Sequence, residues 1–130
     1  MSVVLDASAL LTWLFRETGS DRVAHLLITG DCVMSSVNWA EVSTKLIDRG
    51  YPESQLTSLL HALELEMVPF DASLATRTGL LRTATRSIGL SLGDRACLAL
   101  AQARQASAIT ADRAWMGIAK ELDLTIECVR

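Results

Sequence analysis

The sequence predicts an α/β fold organised around a parallel sheet, and three features lead there. Short apolar runs, such as Val3 to Leu5 and Ala108 to Thr110, carry β-branched residues without polar alternation, as strands buried on both faces do. Longer stretches of helix formers separate them and supply the crossovers that parallel strands need. Hydrophobic residues make up 50% of the chain but aromatics only 5%, so Leu, Ala, Val and Ile must fill the core, which suits helices laid on a small sheet. At 130 residues the expectation is one domain over 1–130, with no room for a second core.

The elements follow in order. A strand over 3–5 stops at Asp6, and helix formers over 7–17 are closed by Gly19. Ser20 is placed to cap a second helix, through Ile28, that ends at Gly30. Residues 32–34 read as a strand. Ser35 and Ser36 lead into a helix over 37–49, with Val42, Leu46 and Ile47 on one face, stopped by Gly50 and Pro52. Pro52 can open the next helix, through Leu65. A short strand over 67–70 contains Pro69, which places it at a sheet edge or marks its own end. Asp71 caps a helix over 72–87, and 89–93 form a loop. A strongly helical segment over 94–106 turns Leu98, Ala99 and Ala103 to a core. A strand over 108–110, then Asp112, a helix over 113–122 and a last strand at 125–126 complete the chain.

No run approaches the roughly 18 apolar residues of a membrane span. Asp6 interrupts the N-terminal apolar stretch too soon for a signal peptide, so a cytoplasmic protein is expected. Cys32, Cys97 and Cys128 are odd in number, widely spaced and free of any CxxC. They fit small buried hydrophobes in a reducing compartment better than a disulfide or zinc framework. His25 and His61 fall in helical stretches far from other candidate ligands.

A net charge of −3 argues at first sight against nucleic acid. The distribution is more telling. Of 12 basic residues all but Lys45 and Lys120 are Arg, and Arg77, Arg82, Arg86, Arg95, Arg104 and Arg113 crowd a stretch whose acids are Asp94 and Asp112. Most of these arginines read equally well as a solvated helix face; the functional alternative is a phosphate-binding rim around an acidic floor.

Functional groups of open parallel sheets gather beyond the carboxyl ends of the strands. Asp6 follows the first strand and Asp112 the strand over 108–110, while Glu41 lies early in the helix after the second strand and Asp94 opens the long helix. Taken singly, each is more simply an N-cap or a solvated helix residue, as Asp71 is. Together they sit at strand ends and in otherwise apolar helix starts. Such a cluster without a cation repels itself and raises its own pKa values. Oxygen-only ligands select Mg²⁺ or Mn²⁺ over zinc, and such an ion activates water and neutralises a phosphodiester. The chain has no GxxxxGK[ST], GxGxxG or GxSxG, and Ser8 stands where phosphatases that form an aspartyl-phosphate carry a second Asp. Phosphodiester hydrolysis is the chemistry these residues supply best.

The segments VVLDASA (3–9), SVNWAEV (36–42), LSLGDRACL (90–98) and ITAD (109–112) resemble, in order and spacing, the successive signatures of PIN-domain nucleases. More narrowly they resemble those of VapC-type toxins of bacterial toxin–antitoxin pairs. The resemblance covers nearly the whole chain. It implies an α/β/α sandwich around a small parallel sheet and a metal-dependent endoribonuclease that cuts single-stranded or looped RNA. It carries the acidic roles onto Asp6, Glu41, Asp94 and Asp112, with Asp6 and Asp94 as direct ligands of Mg²⁺ or Mn²⁺ and Ser8 and Thr110 as polar supporters. Glu41 and Asp112 would ligate directly, act through water, or orient the attacking water. Two alternatives stay open: a housekeeping RNA-processing PIN nuclease, and a non-catalytic RNA- or protein-binding module.

The same resemblance implies a cognate antitoxin, and a homodimer is the expected assembly. Independently, the helix around residues 10–15 is apolar almost all round, so it is either packed on two sides or covered by a partner. Trp13 or Phe15 is the expected contact for an antitoxin peptide or a second copy. Crowding of the acids also leads to the expectation that Asp94→Asn stabilises the metal-free fold, unless Asp94 serves as a helix cap.

Overall fold

The computed structural model describes residues 2–130 and contains a five-stranded sheet in which every pairing is parallel. Strands β1 (Ser2–Leu5), β2 (Asp31–Ser35), β3 (Glu66–Val68), β4 (Ser107–Thr110) and β5 (Ile126–Cys128) lie in the order β3-β2-β1-β4-β5. The chain builds β1, β2 and β3 toward one edge, then returns to the other side of β1 for β4 and β5. Direction therefore reverses between β1 and β4, and the crevice at the carboxyl ends of those strands is where such sheets bind ligands.

Alternation along the strands makes two cores. Val4, Val33 and Ala108 face one side with Cys97, Leu98, Leu100 and Trp115. Leu5, Met34 and Ile109, each one residue further on, face the other with Leu10, Val42 and Leu46. Helices α1 (Ala7–Leu14), α2 (Ser20–Thr29), α3 (Ser36–Asp48) and α4 (Glu53–Ala62) cover the side of Leu5. Helices α5 (Ala72–Leu80), its short extension α6 (Arg82–Thr85) and α7 (Leu92–Arg104) cover the side of Val4. The strands are apolar without alternation because both faces are buried, giving the expected three layers.

Several boundaries differ from the sequence-based ones for local reasons. The first helix ends at Leu14 because Arg16 turns left-handed (φ 55°). The helix expected over 72–87 breaks near Leu81; Thr78 and Thr85 return their hydroxyls to the carbonyls of Leu74 and Leu81, a bond that loosens and bends helices. Residues Arg113–Ile118 form a 3₁₀ segment, since Trp115 and Ile118, both buried, are three apart and share one side at three residues per turn. Ala103 and Ile47 are exposed, against expectation. Pro69 follows β3 directly, and β3 is an edge strand. His25 and His61 are exposed on α2 and α4; Cys32 and Cys97 are buried thiols and Cys128 is half-buried.

The start of α7 is the most consequential difference. Ser91 caps the helix, its hydroxyl accepting from the Asp94 N–H at 3.1 Å while the Asp94 carboxylate accepts from the Ser91 N–H at 2.9 Å. This capping box satisfies two amide donors reciprocally and puts Asp94 in the first turn instead of at the opening position. Ser91→Ala is expected to lower stability by about 1 kcal/mol, visible as a lower urea midpoint with an unchanged slope. An unchanged midpoint would show that the cap contributes nothing.

Candidate active site

Asp6 is the first residue past β1, and its N–H donates to the Ile109 carbonyl of β4 at 3.0 Å. The side chain is 3% exposed and caps α1 by accepting from the Ala9 N–H at 2.8 Å. The Ser8 hydroxyl donates to it at 2.8 and 2.9 Å, and the Thr110 hydroxyl at 2.6 Å. Both hydroxyls are held from behind: Ser8 Oγ accepts from the Ala111 N–H at 2.9 Å, and Thr110 Oγ1 from the Asp112 N–H at 3.0 Å. Each oxygen therefore takes two contacts, Oδ1 from Ser8 and Ala9 and Oδ2 from Ser8 and Thr110. Burial pushes the Asp6 carboxyl up from 3.8 to about 6; the hydrogen bonds from Thr110, Ala9 and Ser8 oppose that rise, and the charge of Asp94 adds to it.

Glu41 arrives from α3, half-buried. Asn38, one turn earlier and 1% exposed, donates to Glu41 Oε1 at 2.9 Å and to the Gly93 carbonyl at 3.0 Å. One amide group thus ties α3 to the first turn of α7 and fixes the Glu41 carboxylate against it. Gly93 makes that approach possible: a Cβ there would overlap the carboxylate, with every atom of the group within 2.7 Å. The Glu41 pKa is raised, first by burial; the Asn38 bond lowers it, Asp94 raises it and Lys45 lowers it. The charge of Asp94 thus raises both carboxyls. Cys97, one turn further along α7, has its thiol pushed well up by burial and then by Asp6, Asp94 and Glu41 together.

Asp112 stands apart. It is exposed, and its carboxylate accepts from the Ala114 N–H at 3.0 Å as the cap of the 3₁₀ segment. It joins the cluster only through its own N–H on Thr110. The structure therefore brings Asp6, Glu41 and Asp94 together, braced by Ser8 and Thr110, and leaves Asp112 at the rim.

Among the described residues, no three His, Cys, Asp or Glu side chains converge closely enough to make a ready ion site. The donor set nonetheless fits a hard divalent cation. It is all oxygen, and burial with mutual repulsion holds two carboxyls high in a way that a cation relieves. Asp94 also serves the fold, since the Ser91 N–H donates to one of its oxygens.

The arginine rim is only partly present. Arg104 ends α7, far from Asp94 along the helix, and pairs with Glu66 at the start of β3; Arg95 donates to the Thr78 carbonyl at 3.1 Å. Of the six arginines, Arg113 shares a cleft with Asp112, and the other cations there are Lys45, Arg49 and Arg130, which sequence spacing did not single out. Asn38 and Gly93 were also missed as site residues, although both stand inside the segments that carried the resemblance. Trp13 and Phe15 line different grooves, Trp13 with Ala24 and Asp21 of α2, Phe15 with the cations. Among the described residues no helix is long and apolar enough to cross a membrane.

The family model of the PIN domain matches residues 3–121. No curated protein matches the sequence. Several solved structures share the fold. The toxin–antitoxin complex from Klebsiella pneumoniae has a TM-score of 0.75 at 18% identity, covering 98% of this chain and 98% of that one. VapBC-1 from nontypeable Haemophilus influenzae has 0.71 at 18%, covering 99% and 98%. Mycobacterium tuberculosis VapC20, a sarcin-ricin loop cleaving toxin, has 0.72 at 12%, covering 88% and 93%. At such identities the likeness establishes the fold.

Proposed function

The chain belongs to the PIN-domain family, and from that premise we propose that it is a Mg²⁺- or Mn²⁺-dependent endoribonuclease, a single PIN domain serving as the toxin of a VapC-type toxin–antitoxin pair. The observation that carries the reading is the Asp6 cradle. A carboxylate buried at the switch point of a parallel sheet, held by two hydroxyls and an N–H, is costly to maintain as a mere cap. Toxin–antitoxin complexes share the fold, as does a toxin named for cleaving the sarcin-ricin loop, which supports an antitoxin partner and an RNA substrate.

Asp6 and Asp94 would hold the cation, which when bound neutralises the scissile phosphodiester and activates water. Ser8 and Thr110 keep Asp6 from rotating, so the ligand is organised before substrate arrives. Glu41 has Oε1 held by Asn38 and a raised pKa, which suits its other oxygen to take the proton of the attacking water. That water's oxygen bonds to phosphorus as the bond to the departing ribose oxygen breaks. Asp112, exposed at the rim, orients water or substrate. Trp13, in the groove between α1 and α2, is the better placed of the two aromatics to seat an antitoxin segment away from the carboxylates.

Induction of the chain in a bacterial host tests the whole reading. Wild type is expected to arrest growth with discrete cuts in cellular RNA, and Asp6→Asn to do neither. Normal growth with intact RNA under wild-type induction would count against a toxin.

A further inference from the structure

Beside the carboxylates, between α1, α3 and the segment after β4, lies an open cleft of about 720 Å³. Its wall carries four cations, Lys45, Arg49, Arg113 and Arg130, against two acids, Glu17 and Asp112. Ser8, which holds Asp6, lines it as well, so the cleft continues from the site itself. One further feature is specific. The Arg49 guanidinium lies 3.9 Å over the centroid of the Phe15 ring, making a flat cationic platform on an aromatic base.

We infer that this cleft is a subsite for the nucleotide of a single-stranded RNA that flanks the scissile bond: Lys45 and Arg113 take its phosphate, and its base stacks on the Arg49–Phe15 platform. The inference rests on the nuclease reading above and assigns residues that reading does not use. An acidic peptide would satisfy the cations but has no use for a base-sized stacking face, whereas unpaired bases stack on guanidinium planes and aromatic rings. Continuity with Ser8 also places the cleft where a strand crossing the carboxylates must run next.

The test is anisotropy of a fluorescently labelled, mixed-sequence single-stranded oligoribonucleotide binding the full chain in EDTA, over a salt series. Arg49→Ala, at an exposed position, is expected to weaken binding about tenfold through the lost stacking face. Lys45→Ala is expected to flatten the slope of log affinity against log salt by about 0.7, one phosphate contact on a single strand. Unchanged affinity and slope in both variants, from a wild type that does cleave RNA, overturn the subsite and leave the nuclease standing; a cleft that seats a protein partner gives that result. A wild type that neither binds nor cleaves RNA overturns both.

Discussion

Asp6→Asn is expected to cut RNA cleavage about a thousandfold, equivalent to about 4 kcal/mol at the transition state, and at the same time to stabilise the metal-free protein. The second effect follows from the titration of a buried carboxyl. Its pKa rises from 3.8 to about 6 on folding, so the folded chain holds a proton that the unfolded chain releases. The associated stability is fully present below pH 3.8 and is lost as pH rises through about 6. Metal-free wild type should melt lower at pH 7.5 than at pH 5, and Asp6→Asn should flatten that dependence. At neutral pH the variant should gain about 1–3 kcal/mol. Asn keeps the shape, its oxygen still accepts from the Ala9 N–H, and its amide can donate to lone pairs of Ser8 and Thr110. Saturating Mg²⁺ reverses the ranking, since a bound ligand stabilises the native state of the protein that binds it. Melting curves with and without Mg²⁺ at both pH values check this. A destabilised metal-free variant would show Asp6 to be a cap first and a ligand second. The sequence suggested Asp94 for this experiment; the structure moves it to Asp6, because Asp94 is half-exposed and engaged in the capping box.

Gly93→Ala is the sharper test of the site's architecture. The three atoms nearest the added methyl all belong to the Glu41 carboxylate, the far end of a flexible side chain that can move aside. Folding stability should change by less than about 1 kcal/mol, the helix preference of Ala over Gly offsetting the loss of the Asn38 bond to Glu41. Activity should fall about 10- to 100-fold, the scale on which a displaced supporting group disturbs a metal site. The two substitutions should not add: Gly93→Ala on top of Glu41→Ala should cost nothing further, since there is no carboxylate left to displace. Equal loss in both backgrounds, measured as kcat/KM on one RNA, would mean that Gly93 acts by another route.

The fold was legible because its signals are short-range and redundant. Unalternated strands at Val4 and Ala108 and caps at Asp6 and Asp71 each state locally what the sheet needs globally. The three-layer arrangement followed from strands that are apolar on both faces. The strand order, which puts β4 beside β1 and so Thr110 beside Asp6, depends on long-range packing that no window of sequence contains. The acids were legible as types at strand ends, but their division of labour was not. Asp112 and Asp94 each cap a helical segment, and whether a carboxylate faces a cleft or a backbone amide is decided by rotamer and neighbour. Asn38 and Gly93 escaped notice because their roles exist only where α3 meets α7, 55 residues apart along the chain. The arginine rim misled for the same reason: Arg104 is close to Asp94 in sequence yet pairs with Glu66, while Lys45 and Arg49 reach the cleft from α3.

A metal-dependent centre on Asp6 is tested by incubating the purified chain, freed of any bound antitoxin, with a mixed RNA pool in Mg²⁺ or Mn²⁺, with EDTA and Asp6→Asn as controls. The prediction is discrete cleavage that disappears in EDTA and with Asp6→Asn, although the variant remains folded. Cleavage that persists in EDTA, or that Asp6→Asn retains at the wild-type rate, would contradict a metal-dependent centre built on Asp6.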